Sequence, residues 1–167
     1  MMNCCSQIVS LTRSPIETSD ISSAIQAWWR DDKCPLIDGV LFDDGRLFEV
    51  DYHEVTIRGI SGHAATLSGN ASCVVETDPD FSSLARNDCV KDRRTTLDYF
   101  CGEGSWGGDG FVACIDRMAG RLRWIAFFQH SNPFVRLRLE GARIVAENNH
   151  GHLWSFKIEN PTDFYVT

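Results

Sequence analysis

No apolar run in this 167-residue chain approaches eighteen residues, so no segment is written to cross a membrane as a helix. The opening Met-Met-Asn-Cys-Cys-Ser-Gln-Ile has neither a basic stretch nor a long apolar core, which is not the pattern of a secretory leader; a cytoplasmic protein is expected. The seven cysteines, Cys4, Cys5, Cys34, Cys73, Cys89, Cys101 and Cys114, contain no C-x-x-C and no zinc-site spacing. An odd number cannot all pair, and most are expected to be reduced thiols acting as small hydrophobes.

Catalytic and ligand-binding signatures are missing too. The run 102–108, Gly-Glu-Gly-Ser-Trp-Gly-Gly, has the glycine of a phosphate loop but no following Lys-Ser/Thr, and it leads into a strand pattern where a phosphate loop leads into a helix. Asp43-Asp44-Gly45 is too short for a calcium loop. His150-Gly151-His152 offers two imidazoles in a turn, without a nearby pair of carboxylates or thiolates to complete a metal site. Cys101 or Cys114 with His130 would be a thiol–imidazole pair of the kind that seven cysteines and five histidines supply by chance. Arg136 and Arg138 lack aromatic partners for stacking nucleic-acid bases, and a net charge of −7 weighs against a general nucleic-acid binder. No enzyme, no cofactor and no metal are expected.

What is present is a packed, mainly β chain. An apolar fraction of 43%, with five Trp and ten Phe, suits one globular domain over residues 1–167. Near the start, residues 6–12 could form a strand. Ile21, Ala24, Ile25 and Trp28 then recur at i, i+3, i+4 and i+7, which predicts an amphipathic helix over 20–30, ended by Arg30-Asp31-Asp32-Lys33 and Pro35. Asp-Gly at 44–45 between the apolar runs 36–42 and 46–52 predicts a β-hairpin. Strands are expected over 54–60, 64–67 and 71–76. From 78 to 109 the pattern fades, with short helices expected from Pro79-Asp80 through Ala85 and over 96–100, and a glycine-rich loop over 101–110.

The last third is the most regular. Phe111 to Ile115 favours a strand, Met118-Ala119-Gly120 closes a hairpin, and the return run 121–128 puts Leu122, Trp124, Ala126 and Phe128 on one face with Ile125 and Phe127 on the other. Both faces of that run are therefore expected to be partly covered. Ser131-Asn132-Pro133 breaks the pattern. Val135, Leu137 and Leu139 then alternate with Arg136, Arg138 and Glu140, and strands follow over 142–146, 152–158 and 164–166, separated by Asn148-Asn149-His150-Gly151 and Asn160-Pro161. Short turns throughout leave no room for a βαβ crossover. The fold expected is mainly β (α+β): a curved antiparallel meander sheet or a partly closed barrel, with one or two packed helices.

Charge is distributed unevenly. Residues 31–54 hold eight acids, Asp31, Asp32, Asp38, Asp43, Asp44, Glu49, Asp51 and Glu54, against Lys33 and Arg46, a local net of −6. Residues 117–143 hold six Arg (117, 121, 123, 136, 138 and 143) against Glu140, a local net of +5. Such regions commonly face each other or solvent. Read functionally, the acidic stretch meets a basic partner, with Asp31, Asp32, Asp43, Asp44, Glu49, Asp51 and Glu54 as partner-binding residues.

Ser131-Asn132-Pro133-Phe134, the run from Asn148-Asn149-His150-Gly151-His152 through Leu153-Trp154-Ser155-Phe156-Lys157-Ile158, and Pro161 together resemble the C-terminal ending of immunity proteins of bacterial polymorphic-toxin and contact-dependent growth inhibition systems. That resemblance implies a non-enzymatic cytoplasmic protein that binds and neutralises one cognate toxin domain, often a basic nuclease. The family has no universal motif, so it assigns no individual residue. The alternative reading of the residues is a β-barrel that takes a small apolar ligand in a cavity lined by Trp124, Phe128, Trp154 and Phe156.

Overall fold

A computed structural model describes residues 18–50 and 79–167. The strands expected over 6–12, 54–60, 64–67 and 71–76 lie outside the described residues, as do Cys4, Cys5, Cys73, Asp51 and Glu54. One helix, α1 (Thr18–Arg30), and twelve strands are present among the described residues. The strands are β1 (Lys33–Pro35), β2 (Gly39–Phe42), β3 (Leu47–Glu49), β4 (Phe81–Ser83), β5 (Ala85–Lys91) and β6 (Leu97–Glu103), followed by β7 (Gly110–Asp116), β8 (Arg121–Phe128), β9 (Phe134–Glu140), β10 (Arg143–Asn148), β11 (Leu153–Lys157) and β12 (Phe164–Val166).

The strands form three antiparallel sheets, ordered β3-β2-β8-β7-β6-β5, β12-β11-β10-β9, and the short pair β1-β4. The mainly β, α+β class is therefore as expected, in the form of open sheets and not a closed barrel. The six-stranded sheet is the middle layer. On one side Val40, Tyr99, Cys101, Val112, Cys114, Ala126 and Phe128 pack against Phe134, Leu137, Ile144, Trp154, Phe156 and Phe164 of the four-stranded sheet. On the other, Leu41, Leu47, Phe111, Ala113, Ile125 and Phe127 pack against Ile25 and Trp29 of α1 and against Cys34, Ile37 and Leu84. Burial on both faces explains why β7 and β8 read as nearly continuous apolar runs.

The break at Ser131-Asn132-Pro133 is where the chain leaves one sheet for the other. Asn132 takes a left-handed φ of 62°, and the Asn148 side chain donates to the Ser131 carbonyl at 2.7 Å, tying the corner to the end of β10. Along the β5/β9 seam the two sheets are joined by side chains. Asn87 donates to the Phe134 carbonyl at 3.0 Å, and the Leu137 N–H donates to the Asp88 carboxylate at 2.7 Å. A bulge between Arg86 and Asp88 frees Asn87 for this task.

Three expectations are corrected. Pro79-Asp80 and residues 96–100 do not start helices; the stretch forms β4, β5 and β6. Its residues are polar because β5 is an edge strand with much of its surface in water, and the ladder to β6 overrides weak local propensity. The glycine-rich run is only partly loop, since Cys101, Gly102 and Glu103 belong to β6 and Gly110 opens β7. Gly102 lies so close to β5 that a Cβ there would sit 1.9 Å from the Ala85 carbonyl oxygen. Finally, Leu122 does not share a face with Trp124. A bulge opposite Cys114/Ile115 pairs Cys114 with Trp124 and Ile115 with Leu122, turning Leu122 toward α1.

That bulge has a partner in the helix. The Gln26 side chain donates to the Leu122 carbonyl and accepts from the Leu122 N–H, both at 2.9 Å, satisfying the backbone groups displaced from the ladder. The helix stripe is rotated slightly from expectation: Ile25 and Trp29 are buried, and Ile21 and Trp28 pack at the margin. On the far side of the middle sheet the aromatic rings fill the space between the sheets. Phe128 stands 4.8 Å from Trp154 and 6.4 Å from Phe156, and Trp124 6.5 Å from Phe156. The four residues considered as cavity lining thus pack on one another as core.

Candidate functional site

The predicted partner-binding acids are distributed to three places. Asp31 and Asp32 follow the C-terminal end of α1, where Asp32 takes a left-handed φ of 51° and its carbonyl accepts from the Leu84 N–H. Asp43 and Asp44 lie in the β2–β3 turn, as the Asp-Gly signal predicts. There Gly45, at φ 92°, is pressed so close to the first half of α1 that a Cβ would stand 2.4 Å from Ile21 Cγ2. Nine helical steps from Ile21 to Arg30 separate the two pairs of acids by about 14 Å along the helix. Glu49, at the far end of β3, pairs with Gly39.

Two of these acids have internal partners. Asp44 meets Arg46 at 2.7 Å, with Arg46 also over the Phe42 ring. Asp32 meets Arg86 at 2.8 Å, and Arg86 lies over Trp29 and Phe100. Asp31, Asp43 and Glu49 form no ion pair among the described residues. Four of the six arginines of residues 117–143 are balanced locally, while Arg121 donates to the Ser22 hydroxyl and Arg123 forms no ion pair among the described residues. Arg117 meets Asp98, Arg136 meets Glu147, Arg138 meets Glu140, and Arg143 meets Asp163. Among the described residues no ion pair crosses from these arginines to the acids of 31–49.

Between the stretch before β2, the β6–β7 turn and the end of β8 lies a site that the motif search did not assemble. Leu36, Trp106, Gly108, Asp109, Gln129 and His130 line an open groove of about 380 Å³. Trp106 stands on the β6–β7 turn with 73% of its surface exposed. Its turn is nonetheless held firmly. The Ser105 N–H donates to Ser82 Oγ at 2.8 Å, the Ser105 hydroxyl accepts from the Ser83 N–H at 3.2 Å, and the Gly108 carbonyl accepts from the Asn132 N–H at 2.8 Å. Asp109 is buried, accepting from Ser82 Oγ at 3.5 Å and from the Trp106 N–H.

Outside the lining, the Asp38 carboxylate accepts from the Gln129 N–H at 2.8 Å and from its side-chain amide at 3.4 Å. Burial raises the pKa of both Asp38 and Asp109 above the usual aspartate range, with the hydrogen bonds and the charge of His130 opposing. The charge of Asp109 pushes Asp38 further up. Asp38 was visible only as one acid in a charge count, Asp109 and Trp106 only as part of a glycine-rich run, and His130 only as a companion to a thiol. They lie on three separate segments, the stretch before β2, the β6–β7 turn and the stretch after β8, and no spacing joins the three.

The thiol–imidazole pairing is not formed. Cys101 donates to the Phe134 carbonyl at 3.6 Å and Cys114 lies beside Tyr99, both within the core, where burial pushes each thiol up to about 12. Cys34, Cys89, Cys101 and Cys114 are free thiols. His150 and His152 face solvent, and their backbone N–H groups donate to the Asn148 side chain at 3.0 and 2.9 Å, which makes their turn a structural one. Among the described residues no three His, Cys, Asp or Glu side chains stand close enough to hold a metal ion, and no helix is long and apolar enough to cross a membrane. Comparison with known proteins returned nothing: no family model, no curated protein and no solved structure matches this chain.

Proposed function

We propose that this protein is a non-enzymatic inhibitor of the immunity type, which acts in the bacterial cytoplasm by binding and neutralising a basic toxin domain. One observation carries the reading: the carboxylates of Asp31, Asp43 and Glu49 have no ion pair among the described residues, while four of the six arginines of residues 117–143 are paired with neighbouring acids. Charge left unbalanced on one layer attracts a partner of opposite sign and speeds its encounter. The resemblance of the C-terminal segments to immunity proteins points the same way, and the rings of Trp124, Phe128, Trp154 and Phe156 pack against one another as core.

The test is co-expression with the protein encoded immediately upstream, followed by purification at low and at high salt. A stable complex whose association slows with salt, and which Asp43→Lys with Asp44→Lys and Glu49→Lys dissociates, is the expected result. A complex indifferent to all three reversals, or no association at low salt, would refute the acidic-face reading.

A further inference from the structure

We infer that the groove between Trp106 and Gln129 is a pocket for a guanidinium side chain, the arginine anchor of a protein partner; in naming that contact the inference rests on the inhibitory reading above. Two features of the groove select this chemistry. Its apolar walls, Leu36 and the exposed indole of Trp106, suit an aliphatic stem and a flat cation stacked on an aromatic face. Its polar end holds the Asp109 carboxylate with Gln129 and His130 in the lining, and a second carboxylate, Asp38, stands outside the lining, bonded to Gln129; both acids are incompletely solvated.

An anion is repelled by those carboxylates. A neutral apolar group would remove them further from water with nothing to replace it. A cation answers the electrostatics, and the planar fork of arginine can accept both the stacking surface and a carboxylate at once.

Trp106 is the observation that lifts this above a cluster of acids. A tryptophan left 73% exposed on a turn fixed by Ser82, Ser83, Ser105 and Asn132 is held ready, so little ordering is required on binding. Tryptophan and arginine are the residues that most often dominate binding energy when they meet at an interface. Glu49, whose strand pairs with Gly39 next to Asp38, brings a further carboxylate to this end of the molecule. The β2–β3 turn with Asp43 and Asp44 lies at the other end of the same hairpin. The groove therefore adds a specific contact to a surface whose remaining charge acts at longer range.

The test uses the full chain alone. A short capped peptide containing one arginine is titrated to ~10 mM while the indole N–H signal of Trp106, assigned by its loss in Trp106→Phe, is followed by NMR. The expected result is a saturable shift of that signal, with the matched citrulline peptide binding about tenfold more weakly and Trp106→Ala losing the arginine preference. No shift at Trp106, or equal shifts with arginine and citrulline, would overturn the inference. Asp109→Asn adds a second readout, a loss of arginine preference with Trp106 still in place. Arginine binding without any co-purifying partner would sink the inhibitory reading and leave the pocket standing. A partner lost on charge reversal at Asp43, Asp44 and Glu49, with no arginine response at Trp106, would do the opposite.

Discussion

The two layers that flank the six-stranded sheet handle charge in opposite ways. The four-stranded sheet carries Arg136, Arg138 and Arg143 and supplies a carboxylate for each from its own strands and loops, Glu147, Glu140 and Asp163. The helix–hairpin layer carries Asp31, Asp43 and Glu49 and gives them no cation among the described residues. Both layers bury comparable aromatic and aliphatic side chains on the middle sheet. Apolar burial holds both in place, and charge then differentiates them: one layer pairs its arginines internally, and the other presents acids that have no ion pair among the described residues.

The sharpest way to break the symmetry of burial is truncation. Phe128→Ala, in the aromatic cluster between the sheets, should cost about 3–5 kcal/mol in urea unfolding, and Ile25→Ala, under the helix, about 2–4 kcal/mol. Equal mixtures of full loss and no loss at the two sites would mean that the layers fold independently. Next comes Arg143, whose guanidinium donates to Ser155 Oγ, the Ser155 carbonyl and the Asp163 carbonyl and lies over Tyr165. Arg143→Met should lower stability by about 2–3 kcal/mol, because several acceptors lose their donor together. Gln26→Ala should cost about 1–2 kcal/mol by leaving the Leu122 amide and carbonyl of the bulge without partners. Asp43→Asn with Asp44→Asn, by contrast, should move stability by no more than about 0.5 kcal/mol while weakening the partner. A large loss there would make the acids structural and remove the contrast between the layers.

The smallest effect is in pH. Asp116 accepts from the Met118 and Ala119 N–H groups in the β7–β8 turn, which holds its pKa below the usual 3.8. A depressed folded pKa contributes stability that is present above the unfolded value and lost as pH falls through the folded one. Asp38 and Asp109 are shifted the other way, so their ionisation penalises the folded state, and lowering the pH through their folded pKa values relieves it. Carbon NMR titration of the side-chain carboxyls should therefore find Asp116 titrating below 3.8 and Asp38 and Asp109 above it. The reverse order would contradict the burial described for the groove.

Much of the fold was legible because a simple period marks it. The 3.6-residue spacing from Ile21 to Trp28 located α1, the Asp-Gly pair located the β2–β3 turn, and the alternation from Val135 to Glu140 located β9, although a bulge opposite Glu147/Asn148 leaves Val135 exposed and not on the buried face with Leu137. The edge strand β5, Ala-Arg-Asn-Asp-Cys-Val-Lys, was not legible, since a strand bathed in water on much of its surface needs no apolar face. Asn87 and Asp88 look like turn residues and act as the seam between two sheets. The bulge that sends Leu122 to the helix and Trp124 to the other cluster leaves no mark on local pattern either. One inserted residue changes the face of everything before it.

The candidate sites divide along the same line. An uneven charge layout is a property of composition and could be counted, but whether each charge finds a partner depends on which strands become neighbours. Leu36, Asp38, Trp106, Asp109, Gln129 and His130 come from segments up to ninety-odd positions apart in sequence, joined by contacts such as Asp38 with Gln129. The sequence by itself determined the mainly β class, the amphipathic helix, the position of the principal turns and the polarity of the two regions, because period, turn chemistry and charge are local. Tertiary structure alone decided which sheet each strand joins, where the bulge reverses a face, which arginines are neutralised and that a groove exists. Those outcomes depend on pairing between distant segments, which no local pattern encodes.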